Sequence, residues 1–405
     1  AFARGARWQL DAKIESTEYP LVTEVTKYSA REIACASSRG TRRDLPVQRI
    51  ASDAEAVETL ATRVEGGEAA VWIRNTVHDA IGAVEALRMR LGDDRVLLFH
   101  ARFALGDRLQ RETDVLATFG KNERDRAVRN KVLVATQVVE QALDLDFDSM
   151  ISDLAPIDLM IQRAGRLHRH ERGPRDAPLL RILGPEPVQD AKASWYKDLF
   201  PKGQFVYPDH GQLWLTMQYL LKNGMKLESA SPRDPLEWVF RDDAPELSGA
   251  LFGISLRASG QFMAQQGHAQ MNALKLNDGY AMASGAWESD VVTPTRLGSK
   301  QRVLRLAKWD GVVLSPWFSD EDIATAWRLS EVQVLAARVA GIEIGDARLQ
   351  KAYDATITSW IDKFDPPLLV PLVSADGAVW RAAAVDEKNQ SVSLVYSARS
   401  GLQLG

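Results

Sequence analysis

The nine residues Gln162 to His170, "QRAGRLHRH", gather three arginines and two histidines in a chain whose overall charge is only −4. Arg163, Arg166 and Arg169 recur every third residue. On a helix a step of three leaves neighbours about 60° apart. The three guanidinium groups are therefore expected on one side of one helix, where they repel each other unless an anion arrives. A guanidinium is planar, forks onto paired phosphate oxygens and stays charged at any working pH. The chemistry such a cluster suits is the holding of an anion. The plainer alternative is a solvated basic helix end that complements the helix dipole. His168 and His170 lie two apart, about 200° round a helix, and cannot share a metal ion as an i, i+4 pair does. The dipeptide His78-Asp79 lacks the further ligands a metal needs. Neither is read as a metal site.

These residues need a scaffold, and the pattern from about 40 to 184 supplies one. "AAVWIRN", "RVLLFHA", "KVLVAT", "SMISDLAP" and "PLLRILGP" read as buried strands. The stretches "TVHDAIGAVEALRMRLG" and "ALGDRLQRETDVLATFG" between them read as helices ending on Gly. This alternation predicts βαβ units and a parallel sheet flanked by helices. Ligands of such sheets bind beyond the carboxyl ends of the strands. Thr136, the 152–156 segment and the helix carrying "QRAGRLHRH" are expected near that edge. Upstream, "YPLVTEVTKYS" and "REIACASS" read as short strands. Downstream, a polar stretch with Pro185, Pro187, Pro201 and Pro208 reads as a linker, and 211–275 as mostly helical. "KQRVLRLAKWDGVVLSPW" reads as strands around a turn, and "IATAWRLSEVQVLAARVA" and "ARLQKAYDATITSWID" as helices. The closing "LLVPLVSADGAVWRAAAVDEKNQSVSLVYS" reads as an antiparallel meander. The expected divisions are the end of a preceding lobe or a β-rich entry segment over 1–40, an α/β lobe over 41–185, a linker and helical region over 186–288, and a small α+β C-terminal domain over 289–405.

Composition narrows the class. The chain has 405 residues, 45% hydrophobic and 26% charged, as an ordinary globular protein does. Its slight negative charge excludes a generally basic nucleic-acid coat, so any anion site is local. Cys35 is the single cysteine, which excludes an internal disulfide and fits a reducing cytoplasm. No apolar run approaches the roughly 18 residues of a membrane span, so no membrane partner is expected. The 11 tryptophans sit singly in apolar runs and are read as core rather than as base-stacking platforms.

The order of the motifs carries a resemblance. "VLVATQVVEQALDLDFD" followed by "LAPIDLMIQRAGRLHRH" resembles motifs V and VI of superfamily 2 helicases, in which a second RecA-like lobe faces ATP across a cleft. With "FHARFALGDR", "AVWIRNTVHDA" and the C-terminal "TRLGSKQRVLRLAKWDGVVLSPW", the chain resembles the CRISPR-associated helicase–nuclease of type I systems, most of all subtype I-E. The likeness is weakest over about 240–290. Ala142 departs from the pattern, since many relatives carry a small hydroxyl residue there. The resemblance implies that Arg166 and Arg169 are arginine fingers, Gln162 contacts the γ-phosphate or attacking water, and Arg163 belongs to the nucleotide site, more as a brace than a finger. Asp144 would touch the nucleotide ribose or orient the fingers. Asn75, Thr76, His100, Arg102 and Thr136 would grip the DNA backbone. Helix capping is the alternative for Asn75 and Thr76, and a satisfied strand-end hydrogen bond the alternative for His100. Arg172, just past the pair, is expected to tolerate Ala.

Three parts are missing from the sequence. No G-x-x-x-x-G-K-[ST] loop occurs, since "TFGK" at 118–121 lacks the first Gly and the hydroxyl residue. No DExH-type acid pair for Mg²⁺ is present, and no nuclease metal cluster. The first residue is not Met. The reading is therefore the C-terminal half of an ATP-dependent single-stranded DNA translocase: second RecA-like lobe, helical linker and C-terminal domain. ATP with Mg²⁺ would bind only at the interface with a first lobe, and the chain alone is expected to bind no cofactor and hydrolyse no ATP. The implied partners are single-stranded DNA, an N-terminal half with nuclease domain and first lobe, and an RNA-guided surveillance complex. The alternatives are a non-catalytic DNA-binding or docking module, or a superfamily 2 helicase of DNA repair.

Overall fold

The computed structural model describes residues 16, 18, 20–26, 28–35, 44–140, 143–227, 233–241, 243–272, 300–358 and 367–405. The expected divisions at 40/41 and 288/289, and Ala142, lie outside the described residues. Strands β1 (Leu21–Val25) and β2 (Ala30–Ala34) form an antiparallel hairpin.

Then come β3 (Leu45–Ile50), α1 (Asp53–Glu65), β4 (Ala70–Ile73), α2 (Val77–Leu91), β5 (Val96–Phe99) and α3 (Leu105–Phe119). The single turn α4 (Arg126–Arg129), β6 (Val132–Ala135), β7 (Ser149–Asp153), α5 (Ile157–Ala164) and β8 (Leu180–Leu183) complete the lobe. The strands lie in the order β5-β6-β4-β7-β8-β3, and every neighbouring pair is parallel. "AVWI", "VLVA", "SMISD" and "LRIL" are buried at every position. That is why they read as continuous apolar runs rather than alternating ones: a parallel strand is covered on both faces. The turns after β4, β5 and β6 carry Asn75, His100 and Thr136 at the carboxyl edge, as the pattern predicts.

The stretch expected to be a linker is packed into this lobe. Trp195, Tyr196 and Phe200 are 7%, 0% and 1% exposed and share the lobe's core. Polar residues and prolines dominate the local pattern, yet three aromatics are enough to hold the strap down. It lies over the carboxyl edge, where the Asn75 side-chain amide donates to the Tyr196 hydroxyl at 2.9 Å and the Tyr196 hydroxyl donates to the Leu154 carbonyl at 3.3 Å. Helix α6 (His210–Lys222) follows, and β9 (Lys226–Leu227) adds to β3 antiparallel. Helices α7 (Arg233–Val239) and α8 (Gly249–Asn272) close this region.

The last region is a second sheet. Its elements are β10 (Gln301–Trp309), β11 (Leu314–Pro316), α9 (Ile323–Leu329), β12 (Glu331–Leu335), β13 (Gly341–Glu343), α10 (Ala347–Thr358), β14 (Leu368–Ser374), β15 (Trp380–Val385), β16 (Ser391–Ser397) and β17 (Gly401–Leu404). β14, β15, β16 and β17 form the predicted meander, and β10 joins β14 in parallel. The helix expected over "IATAWRLSEVQVLAARVA" stops at Leu329. From Glu331 the chain pairs with β10, because Val332 and Val334 are buried alternately while Gln333 is exposed. β-Branched residues at period two are strand material, and here tertiary pairing outweighed the helical reading. Of "ARLQKAYDATITSWID", the part after Thr358 lies outside the described residues.

The second sheet meets the lobe at the start of α3. The Asp107 carboxylate accepts from the Tyr396 hydroxyl at 2.6 Å and the Trp317 indole at 2.8 Å. The Ala104 amide donates to the Tyr396 hydroxyl at 2.8 Å, and the Leu402 amide to the Arg102 carbonyl at 2.7 Å.

Candidate functional site

The arginine stretch is not one helix. Helix α5 ends at Ala164, and the Gly165 amide closes its last turn on the Ile161 carbonyl at 3.1 Å. Beyond it the backbone pairs with the residue two before β7: the Phe147 amide donates to the Arg166 carbonyl at 3.1 Å, and the His168 amide to the Phe147 carbonyl at 2.9 Å. Leu167, 2% exposed, anchors this pairing in the core, and His168 turns the chain with φ of 50°. A buried leucine and a local strand pairing thus displace the last helical turn. The 60° arithmetic fails for Arg166 and Arg169. Since α5 runs back from the end of β7, both lie on the lobe's flank, beside the entry to β7, and not at the carboxyl edge.

The three arginines divide by environment. Arg163 is 0% exposed. Its Nε donates to Glu140 Oε1 at 2.7 Å, and its Nη1 to Ser152 Oγ at 2.8 Å and the Asp153 carbonyl at 3.0 Å. It also reaches Asn75 Oδ1 at 3.3 Å and the Tyr207 hydroxyl at 3.2 Å. With every face occupied it braces the lobe and has nothing left for a ligand. Arg166 is half-buried and spends one donor, Nη2, on the Glu140 carbonyl at 3.0 Å. Burial, and then the neighbouring charge of Arg169, lower its pKa from the ordinary arginine value. Arg169 is exposed and pairs through Nε with Asp144 Oδ1 at 2.7 Å. His170 Nε2 holds the same oxygen at 2.9 Å. Desolvation works to raise the Asp144 carboxyl, but the hydrogen bond and charge of His170 and the charge of Arg169 outweigh it and hold it below the usual range. Gln162 is exposed on α5. Asp144, Arg166 and Arg169 are brought together, while Arg163 stands behind them.

Asp146 is a residue the sequence reading missed. It is 0% exposed and accepts the Arg169 amide at 2.6 Å and the His170 amide at 3.3 Å. Arg172 donates to its Oδ2, and Arg175 pairs with it at 3.1 Å. Arg172 also reaches the Glu123 and Gly120 carbonyls. Far from being a solvated control, Arg172 is bound into the network that fixes the backbone of Arg169. The signal was present in the alternating acids of "DLDFD", where the turn hides one carboxylate and exposes another.

The five residues expected on the DNA backbone fare unequally. His100 is 0% exposed: its Nε2 lies 3.1 Å from the Ser400 carbonyl, its Nδ1 accepts the Arg102 amide at 3.1 Å, and its ring stacks on Phe103. Burial pushes this imidazole down to about 3. It is a buried part of the junction, closed to any strand. Asn75, 2% exposed, gives its amide to Leu154 and Tyr196. Thr76 is the N-cap of α2, its Oγ1 accepting the Asp79 amide at 3.1 Å. Thr136 is 3% exposed. Arg102 is part-exposed and has no ion-pair partner among the described residues; burial, then the charge of Arg338, lower its pKa. Sequence gave no warning that β17 would cover the end of β5.

The donor set at the flank is cationic. It suits phosphate oxygens and not a metal ion, and among the described residues no group of three His, Cys, Asp or Glu could hold one. His168 Nε2 sits on the Asp148 carbonyl at 3.1 Å, and His78 beside Asp79 at 3.4 Å. Among the described residues no helix is long and apolar enough to cross a membrane.

Residues 66–172 match the family model described as CRISPR-associated nuclease/helicase Cas3, C-terminal. A CRISPR-associated endonuclease/helicase Cas3 from Escherichia coli (strain K12) is 42% identical over 161 residues, 38% of this chain and 17% of the relative. One from Thermus thermophilus is 43% identical over 151 residues, 36% of this chain and 16% of the relative. A crystal structure of T. fusca Cas3 with AMPPNP superposes with a TM-score of 0.73 at 24% identity, covering 99% of this chain and 48% of that one. A CRISPR RNA-guided surveillance complex, pre-nicking, contains a chain that superposes at 0.71 and 23% identity over 99% of this chain and 50% of that one. The chain thus spans about half the length of the solved chains it matches. Its likeness is to the C-terminal part of Cas3 nuclease/helicases, and its α/β fold is theirs.

Proposed function

We propose that this chain, whose residues 66–172 match the C-terminal family model of Cas3 nuclease/helicases, supplies the second RecA-like lobe of an ATP-driven single-stranded DNA translocase of subtype I-E-like CRISPR interference. In this reading Arg166 and Arg169 are the fingers that meet the γ-phosphate of ATP–Mg²⁺ when a first lobe closes against the flank. Gln162 faces the attacking water. Bound ATP supplies the phosphoanhydride whose cleavage drives movement; the chain's own residues neutralise and orient. A guanidinium that reaches the phosphate only in the closed state acts on the transition state and not on ground-state affinity. The observation that carries the proposal is the half-free pair: Arg166 held on one carbonyl and Arg169 on one exposed carboxylate, beside an Arg163 that is wholly consumed. The partners that follow are single-stranded DNA, an N-terminal half bearing phosphate loop, Mg²⁺ acids and nuclease, and an RNA-guided surveillance complex, all in the cytoplasm.

The test is steady-state ATPase with single-stranded DNA at saturation, for the chain alone and together with an N-terminal half carrying the phosphate loop. The chain alone hydrolyses ATP no faster than buffer. Together they turn over, and Arg166→Ala or Arg169→Ala lowers kcat by roughly 10²- to 10⁴-fold with little change in apparent ATP affinity. DNA-stimulated phosphate release by the chain alone, or wild-type turnover by both variants, would sink the proposal. A chain that binds DNA yet never supports turnover would leave the non-catalytic module as the better reading.

A further inference from the structure

Arg166 is oriented by the Glu140 main chain, so whatever fixes Glu140 also fixes the finger. Gln137–Glu140 form one 3-10 turn after β6. Both ends of this turn lead to Tyr207, in the strap outside the motifs that face the nucleotide. The Gln137 side-chain Nε2 donates to the Tyr207 hydroxyl at 3.3 Å and to the Asn75 carbonyl at 3.0 Å. At the other end, Glu140 Oε1 accepts Arg163 Nε at 2.7 Å, and Arg163 Nη2 donates to the same hydroxyl at 3.2 Å. The Glu140 carbonyl then accepts Arg166 Nη2 at 3.0 Å. One phenol oxygen thus accepts two donors that grip the two ends of a four-residue turn. The strap is itself immobilised by Tyr196 and Phe200, which are 0% and 1% exposed.

We infer that Tyr207 is a positioning residue: through Gln137 and the Arg163–Glu140 pair it holds the turn whose last carbonyl aims Arg166. The consequence for catalysis rests on the function proposed above. The consequence for the turn does not.

Two measurements separate them. In hydrogen exchange of the chain alone, Tyr207→Phe keeps the ring and removes the acceptor. It speeds amide exchange across 136–140 by roughly tenfold, while β4 and β6 keep wild-type rates, because local opening costs less once Arg163 and Gln137 each lose one acceptor. Unchanged exchange at 136–140 overturns the inference. In the ATPase assay with the N-terminal half, Tyr207→Phe lowers kcat roughly tenfold with KM for ATP within about twofold, as misplacement of one group does. Added to Arg166→Ala it costs nothing further, because the two changes act through one contact. Wild-type kcat in Tyr207→Phe, or full additivity with Arg166→Ala, overturns the catalytic role while Arg166 keeps its own. If Arg166→Ala itself turns over normally, the proposed function fails, and the exchange result still decides whether Tyr207 holds the turn.

Discussion

Arg166 and Arg169 differ from their neighbours in what they leave unspent. A guanidinium carries five N–H donors in a fixed fork; among the described residues Arg166 is held by one of them and Arg169 by one ion pair. Each is aimed without being consumed, which is the state a finger needs before an anion arrives. Arg→Lys at either position should therefore fail to restore turnover, since an ammonium keeps the charge and loses the fork. Arg172 stands at the opposite extreme. Its side chain is 8% exposed and ion-paired to a fully buried Asp146. Removing one partner from such a pair costs about 3–5 kcal/mol, and here the lower end applies because Arg175 stays on Asp146. Arg172→Ala should lower the urea midpoint of unfolding with no change in the denaturant slope. An unchanged midpoint would restore Arg172 as a solvated residue.

Among the elements, the contact between the β5 end and the β16–β17 turn couples the two sheets. His100 works there as a neutral ring: Nδ1 accepts the Arg102 amide, so only Nε2 can carry the proton that faces the Ser400 carbonyl. Gly401, at φ of +68°, is what lets the turn approach, since a Cβ there would fall 2.6 Å from the Arg102 carbonyl oxygen and 2.8 Å from the imidazole. With the folded pKa pushed down to about 3 from 6.5, the unfolded chain binds the proton first as pH falls. Stability from this neutral ring is complete above about pH 6.5 and drains away as pH drops from there toward about 3. Between pH 7.5 and pH 4.5 the wild type should lose about 2–3 kcal/mol more than His100→Gln, read from urea unfolding at each pH. Equal losses in the two proteins would mean that the imidazole is not sealed in the junction.

For the molecule as a whole, the question is where a nucleic-acid strand would lie on a surface that carries slight net negative charge. Of the five residues first expected on the backbone, only Arg102 is a cation and open enough to meet a phosphate. Binding to single-stranded DNA should be weak and indifferent to sequence. Each neutralised phosphate adds about −0.7 to the slope of log K against log salt, so a few contacts give about −2 to −3. Arg102→Ala should flatten that slope by less than about one unit, while His100→Gln at pH 7.5 should leave it unchanged because that ring is buried and neutral. Affinity that ignores salt, or one strongly preferred sequence, would argue against backbone gripping.

The sequence by itself determined the lobe: buried strands spaced by amphipathic helices admit a parallel sheet and little else, and Asn75, His100 and Thr136 fall at strand ends as the pattern requires. It also determined that arginines are clustered between 163 and 169 and that no G-x-x-x-x-G-K-[ST] loop is present. Both are matters of residue type and short-range order, which a linear chain carries in full. Only the tertiary structure decided which arginine is free. Arg163 and Arg166 differ by one helical step in sequence, yet one is sealed by Asn75, Ser152 and Tyr207 from three separate segments and the other is not. The end of α5 was likewise settled by Phe147, the burial of His100 by Ser400 and Gly401, and the fate of Asp146 by arginines up to 29 residues away. Burial and pairing of a polar group depend on what the rest of the chain brings to it, and at these separations no periodicity records that.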